Sequence, residues 1–232
     1  MTFEERAGEI RERMAHAAAK AGRDPASVLL VAVTKTRTVQ EMLAAVPFAG
    51  AIGENRVQEA EEKKKAWPSD GAASALPWRL IGHLQGNKAR KALELFDTVD
   101  SLDSIALAER LDRVAGERER TLPVLIEVNM AQEVSKTGIA PEDFGSLLDR
   151  VRNLPHLRLE GLMTIGPLTE DEASVRRAFA GLRDLAEEAR KQSGLPLPVL
   201  SMGMSGDFEW AIQEGSTMVR IGSALFGPRN YG

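Results

Sequence analysis

Val28-Leu-Leu-Val-Ala-Val-Thr-Lys35 is the stretch on which the fold turns. Six apolar residues run unbroken into a threonine and a lysine. A strand with one wet face alternates apolar and polar, whereas a strand covered on both faces reads as a continuous run. Working outward, further strands are expected at Ala51–Glu54, Trp78–Leu84, Thr98–Leu102, Val124–Asn129, Leu157–Ile165, Val199–Met204 and Met218–Phe226. Helices should begin near Val39, Asn55, Asn87, Ser104, Pro141, Thr169 and Ser205. Ahead of them, Phe3, Ile10, Met14 and Ala17 recur at helical spacing and Gly22 closes an extra N-terminal helix. About eight strand–helix alternations is the number a (β/α)8 TIM barrel needs. A doubly wound open sheet alternates in the same way, so closure is an expectation. The class expected is α/β, a (β/α)8 TIM barrel with an extra N-terminal helix, as a single domain over residues 1–232. Pro68–Ala75 reads as a loop, and the charge run Glu59–Lys65 as a solvated helix face.

Composition narrows the chemistry. The chain has 232 residues, 43% of them hydrophobic, enough to bury a core. Its 30 basic and 34 acidic side chains give a net charge of −4, which is not a nucleic-acid footprint. Cysteine is absent, which excludes disulfides, thiolate metal sites and cysteine nucleophiles. No apolar run approaches the roughly 20 residues that span a bilayer, and no signal peptide is visible. A cytoplasmic monomer with no membrane or nucleic-acid partner is expected. The histidines His16, His83 and His156 are scattered, without metal-ligand spacing. No glycine-rich nucleotide fingerprint is present either.

In a barrel, chemistry sits at the C-terminal strand ends. Lys35 ends the most apolar strand. There it either reaches into solvent or, partly desolvated, offers an amine for a Schiff base. His83, in Gly82-His-Leu-Gln85, ends another strand and can line the same pocket. Met204, Ser205 and Gly206 lie at a strand-to-helix junction, where backbone N–H groups suit a phosphate. Gly222 and Ser223, after Arg220, offer a second set of donors. Gly203-Met-Ser205-Gly206-Asp207 imitates a hydrolase nucleophile elbow. It closes with Asp, however, and no histidine follows the serine as that fold requires.

Several stretches together resemble one family. They are Ala32-Val-Thr-Lys35-Thr, Gly53-Glu-Asn55-Arg-Val-Gln58-Glu59, Trp78-Arg-Leu-Ile-Gly-His-Leu-Gln85-Gly-Asn87-Lys88 and Ser135-Lys136-Thr-Gly138. Gly161-Leu-Met163-Thr, Ser201-Met-Gly-Met-Ser205-Gly-Asp207 and Val219-Arg220-Ile-Gly222-Ser223 complete the set. In this order and spacing the chain resembles the pyridoxal phosphate homeostasis protein family, itself similar to the N-terminal barrel domain of alanine racemase. The resemblance implies pyridoxal 5′-phosphate held as a Schiff base on Lys35. It also implies Arg220 facing the pyridine nitrogen, Asn55 beside the ring, and Ser205, Gly222 and Ser223 at the phosphate. Ser223 stands where the family usually has Thr, and Arg79 where it often has His. The implied role is a non-catalytic carrier that buffers the cofactor and delivers it to apo-enzymes of pyridoxal phosphate. A pyridoxal-phosphate racemase and a cofactor-free Schiff-base aldolase are the alternatives. Lys136 is expected to assist cofactor exchange or to dock a second cofactor transiently, against a plain solvated loop lysine.

Overall fold

Thr2 starts the first helix with a reciprocal cap. Its Oγ1 accepts from the Glu5 amide at 3.2 Å, and the Glu5 carboxylate accepts from the Thr2 amide at 2.7 Å. Helix α1 (Phe3–Lys20) then buries Ala7, Ile10, Met14, Ala17 and Ala18 along one face. The computed structural model describes residues 1–131, 133 and 137–228. After α1 come β1 (Leu29–Val33), α2 (Val39–Ala45), β2 (Ala51–Glu54), α3 (Val57–Ala66), α4 (Gly71–Ser74) and β3 (Trp78–Leu80). The middle of the chain supplies α5 (Ala89–Leu95), β4 (Thr98–Leu102), α6 (Ile105–Gly116), β5 (Leu122–Glu127) and α7 (Phe144–Arg152). Next are β6 (Leu157–Met163), α8 (Glu172–Ser193), β7 (Val199–Ser201), α9 (Phe208–Gln213), β8 (Met218–Ile221) and α10 (Ser223–Phe226).

The strands are parallel and bonded in chain order, and β1 pairs with β8 to close the barrel. Leu29 stands against Met218 and Val31 against Arg220 across that seam. The α/β barrel with an added N-terminal helix is therefore the fold, and the open sheet is excluded by the β1–β8 pairing. Helix α1 packs against α9 and α10 over the outside of the barrel. There the Phe3 ring meets those of Phe48 and Phe226, with centroids 5.9 and 5.5 Å apart.

Strand parity separates the two sides of the wall. Leu30, Ala32, Trp78, Leu80, Val99, Val219 and Ile221 pack into the large core under the helices. The residues between them face the barrel axis. Val31, Ala51 and Met218 form a small apolar layer there, with Val199 against it. Polar groups share the rest of the interior with apolar ones such as Leu125 and Met163. Arg79 lies buried and donates from Nε and Nη2 to the two oxygens of Asp100 at 2.8 and 2.9 Å. Asp100 also accepts from Thr98 Oγ1 at 3.0 Å. Arg79, to which the sequence assigned no role, thus closes a bidentate pair inside the barrel.

Three sequence expectations are corrected. The stretch Met218–Phe226 is not one strand: β8 ends at Ile221, and Ala224, Leu225 and Phe226 belong to α10. A short apolar run does not distinguish the two states. Within Pro68–Ala75, Gly71–Ser74 forms a helical turn. The run Glu59–Lys65 is not wholly a solvated face, because Lys63 is only 8% exposed.

Candidate functional site

Parity along β1 decides where Lys35 goes. Val31 and Val33 face the axis, and Lys35 continues that inward set one step beyond the strand end. Half-buried, it lines a cavity of about 380 Å³ at the barrel mouth. The apolar wall is Val33, Ile81, Ile165 and Met204, and the polar groups are Lys35, Asn55, Ser205 and Arg220. Gly206, Gly222 and Ser223 complete the lining, at the ends of β7 and β8.

Arg220 reaches this cavity from inside the wall and is 3% exposed. Its Nη1 donates to Ser201 Oγ at 2.7 Å and its Nη2 to the Thr164 carbonyl at 2.9 Å. Burial lowers its pKa, and Asp100, Glu127 and Asp207 act in the opposite sense. A guanidinium stays cationic under such opposition. Two neutral acceptors therefore fix a positive charge at one side of the cavity.

The junctions after β7 and β8 are bound to each other. Ser205 Oγ accepts from the Ala224 amide at 3.2 Å. Asp207 Oδ1 accepts from the Met204 amide at 2.6 Å, and the Asp207 and Phe208 amides donate to the Met204 carbonyl. Gly203 makes the turn possible with φ of 98°. A Cβ there would fall 2.6 Å from Ala211 Cβ and 2.9 Å from Phe208 Cα, so only glycine lets α9 pack this closely. The amides of Ser205, Gly206 and Ser223 have no protein acceptor among the described residues. Asn55 Oδ1 is buried without a hydrogen-bond partner among the described residues.

These groups amount to an amine for a carbonyl carbon, N–H and O–H donors for an anion, a fixed cation, and an amide oxygen awaiting a donor. Such a set fits a small molecule with both a carbonyl and an anionic group. No cluster of three or more His, Asp or Glu among the described residues is arranged to hold a metal ion. No helix of the described residues is long and apolar enough to cross a membrane.

The structure brings Lys35, Asn55, Met204, Ser205, Arg220, Gly222 and Ser223 to one cavity. His83 stands apart from it: its ring is half exposed, with Nδ1 3.0 Å from Asp103 Oδ2. Lys88 lines a different depression with Gln58 and Glu61. Lys136 lies outside the described residues. Sequence reasoning missed Val33, Ile81 and Ile165, although stepping back by two from Lys35 would have found Val33. It also missed Ser201 and Thr164 as the acceptors that hold Arg220, since those bonds cross strands.

Comparison with known proteins gives a consistent picture. Residues 7–230 match the alanine racemase N-terminal domain family. The chain is 44% identical to the pyridoxal phosphate homeostasis protein of Pseudomonas aeruginosa, covering 100% of this chain and 97% of that one. It is 41% identical to the protein of the same name from Pasteurella multocida, covering 100% and 99%. Among solved structures, PipY of Synechococcus elongatus with PLP bound superposes with a TM-score of 0.81 at 40% identity, covering 94% of this chain and 100% of that one. Alanine racemase of Clostridium difficile shares the fold, with a TM-score of 0.74 at 14% identity, over 95% of this chain and 60% of that one.

Proposed function

The chain belongs to the alanine racemase N-terminal domain family and, within it, to the pyridoxal phosphate homeostasis proteins, and from that premise we propose that it is a non-catalytic carrier of pyridoxal 5′-phosphate. The observation that carries this reading is the convergence of Lys35, Arg220, Ser205 and Ser223 on one cavity. When bound, the cofactor would supply an aldehyde, and the Lys35 amine would hold it by a Schiff-base linkage. The hydroxyls of Ser205 and Ser223 and the amides of Ser205, Gly206 and Ser223 hold its phosphate. Asn55 offers its unpartnered oxygen to a donor on the ring.

Arg220 is what makes this a carrier. An arginine whose hydrogen-bond partners are Ser201 Oγ and the Thr164 carbonyl keeps its full charge. A fixed cation disfavours protonation of a nearby ring nitrogen and so weakens the ring as an electron sink. Racemisation also needs acid–base groups on two faces. Among the described lining residues, Lys35 is the one amine, and no histidine, carboxylate or tyrosine is there to work the other face. His83 is turned to Asp103 instead. Retention and release of the cofactor, to buffer it and pass it to apo-enzymes, is the role these residues suit.

The test is the absorption spectrum of the protein loaded with pyridoxal 5′-phosphate, followed by borohydride reduction and mapping of the modified lysine. A reduced adduct on Lys35, absent from Lys35→Ala, is expected. A full-strength adduct elsewhere overturns the site. Holo-protein incubated with L-alanine in deuterated water should form no D-alanine. Formation at an enzyme-like rate, about 1 s⁻¹ or faster, overturns the carrier and installs a racemase.

A further inference from the structure

Lys35 is bracketed by two threonines, and both are tied to one cluster of three side chains, Thr34 to Lys63 and Glu54 and Thr36 to Glu59. Lys63, on α3, directs its Nζ to the Thr34 carbonyl at 2.7 Å, to Glu54 Oε1 at 2.6 Å and to Glu59 Oε1 at 2.7 Å. Thr34 Oγ1 donates to the same Glu54 oxygen at 2.5 Å. On the far side of Lys35, the Thr36 amide donates to Glu59 Oε1 at 2.5 Å. The Thr34 carbonyl belongs to the peptide unit before Lys35, and the Thr36 amide to the unit after it. One ionic cluster thus grips both peptide planes that meet at the Lys35 Cα.

The grip holds the chain in an uncommon shape. Thr36 has φ of 64°, which a β-branched residue adopts only under constraint. Glu59 supplies a constraint at that residue, because its carboxylate sits on the Thr36 amide. The cluster is buried at its inner end, where Glu54 has no exposure and Lys63 has 8%, while the Glu59 side chain at its rim has 24%. Buried ion pairs add little stability compared with apolar side chains of the same volume. A cluster of this kind is therefore better explained by the geometry it imposes. Here that geometry is the direction in which the long, flexible Lys35 side chain leaves the backbone.

We propose that Glu54, Lys63 and Glu59 are positioning residues that fix the backbone on both sides of Lys35 and so aim its amine into the cavity. This rests on the reading of Lys35 as the attachment point of pyridoxal 5′-phosphate. The cluster touches neither the phosphate donors nor Arg220. It therefore governs covalent attachment and leaves recognition of the ring and phosphate to the remaining lining residues.

The experiment compares two ligands that differ at one group. Pyridoxal 5′-phosphate carries the aldehyde, and pyridoxine 5′-phosphate carries an alcohol in its place. Glu59→Ala is the main variant, since Lys63 keeps Glu54 and the Thr34 carbonyl and no charge is stranded. It should lose affinity for the aldehyde about ten-fold, the effect of one hydrogen bond to a charged acceptor, and form the borohydride-reducible adduct more slowly. Its affinity for the alcohol should stay within about two-fold of wild type. Glu59→Gln keeps an oxygen facing the Thr36 amide and should restore most of the loss. Thr36→Gly, which relaxes the backbone and removes no charge, should show the same selective loss in smaller degree and serves if Glu59→Ala does not fold. Equal losses for both ligands, or no loss for either, overturn the positioning role. A wild-type protein that forms no adduct on Lys35 overturns the carrier reading and this inference with it. A wild-type adduct insensitive to Glu59→Ala and Thr36→Gly overturns this inference alone.

Discussion

Ser205 and Ser223 both offer a hydroxyl to the cavity, but they are not equivalent. Ser205 Oγ already accepts from the Ala224 amide and so ties the β7 junction to α10. Ser223 is exposed at the first position of α10. On the proposed carrier reading, either change to alanine should remove one hydrogen bond to a charged group, about 1.5–3 kcal/mol, or roughly ten-fold or more in affinity. Ser205→Ala also strands the Ala224 amide and loosens the donor set around it, so it should weaken binding more than Ser223→Ala. Equilibrium titration with pyridoxal 5′-phosphate checks the order. Unchanged affinity in the double variant would remove the phosphate from this corner of the barrel. At this scale the sequence was legible where a residue's place in the cavity follows from its own position near a strand end, as for Lys35, Ser205 and Arg220. It put Lys63 on a solvated face, because the burial of that side chain depends on Glu54 and Thr34, and those partners lie on other elements.

Between elements, β6 and β7 come close together at a glycine. A Cβ built on Gly161 would lie 1.9 Å from the Val199 carbonyl oxygen, a backbone atom that has no side-chain freedom to yield. Gly161→Ala should destabilise the protein by about 3 kcal/mol, the upper end for forced overpacking. Gly8, inside α1, is the contrast: a Cβ added there would meet nothing within 4 Å. Gly8→Ala should therefore stabilise by about 0.5–1 kcal/mol. Urea unfolding of both variants decides the pair, and a Gly161→Ala protein as stable as wild type would contradict the close approach. The strands were readable because burial on both faces leaves no polar residue in runs such as Leu29–Val33. Their ends were not, because Ala224-Leu225-Phe226 is as apolar as a strand and only the turn at Gly222 sends it into a helix.

Over the whole molecule, two carboxyls in the barrel wall set a pH dependence. Burial raises the pKa of Glu127, against the Thr137 hydroxyl bond and the charge of Arg220. Burial raises Glu54 likewise, with Lys63 pulling it back. The folded state then holds these protons more tightly than the unfolded chain. Their contribution is whole below the ordinary carboxylate value of 4.5 and is lost as pH rises through the raised values. Glu127→Gln keeps an acceptor for Thr137 but does not titrate. It should match wild type in stability below the ordinary carboxylate value and gain on it as pH rises through the raised value, then hold that gain; parallel curves from chemical denaturation would refute the assignment. The seam between β1 and β8 has a consequence of a different kind, in time. About 190 residues separate Leu29 from Met218, which it must meet. At ribosomal speeds of about 5–20 residues per second, β1 waits roughly 10–40 s for that neighbour. Throughout the wait one edge of an apolar strand is open to pairing with another nascent chain. The hazard belongs to translation and vanishes in the finished barrel, and any pause in synthesis ahead of Met218 prolongs it.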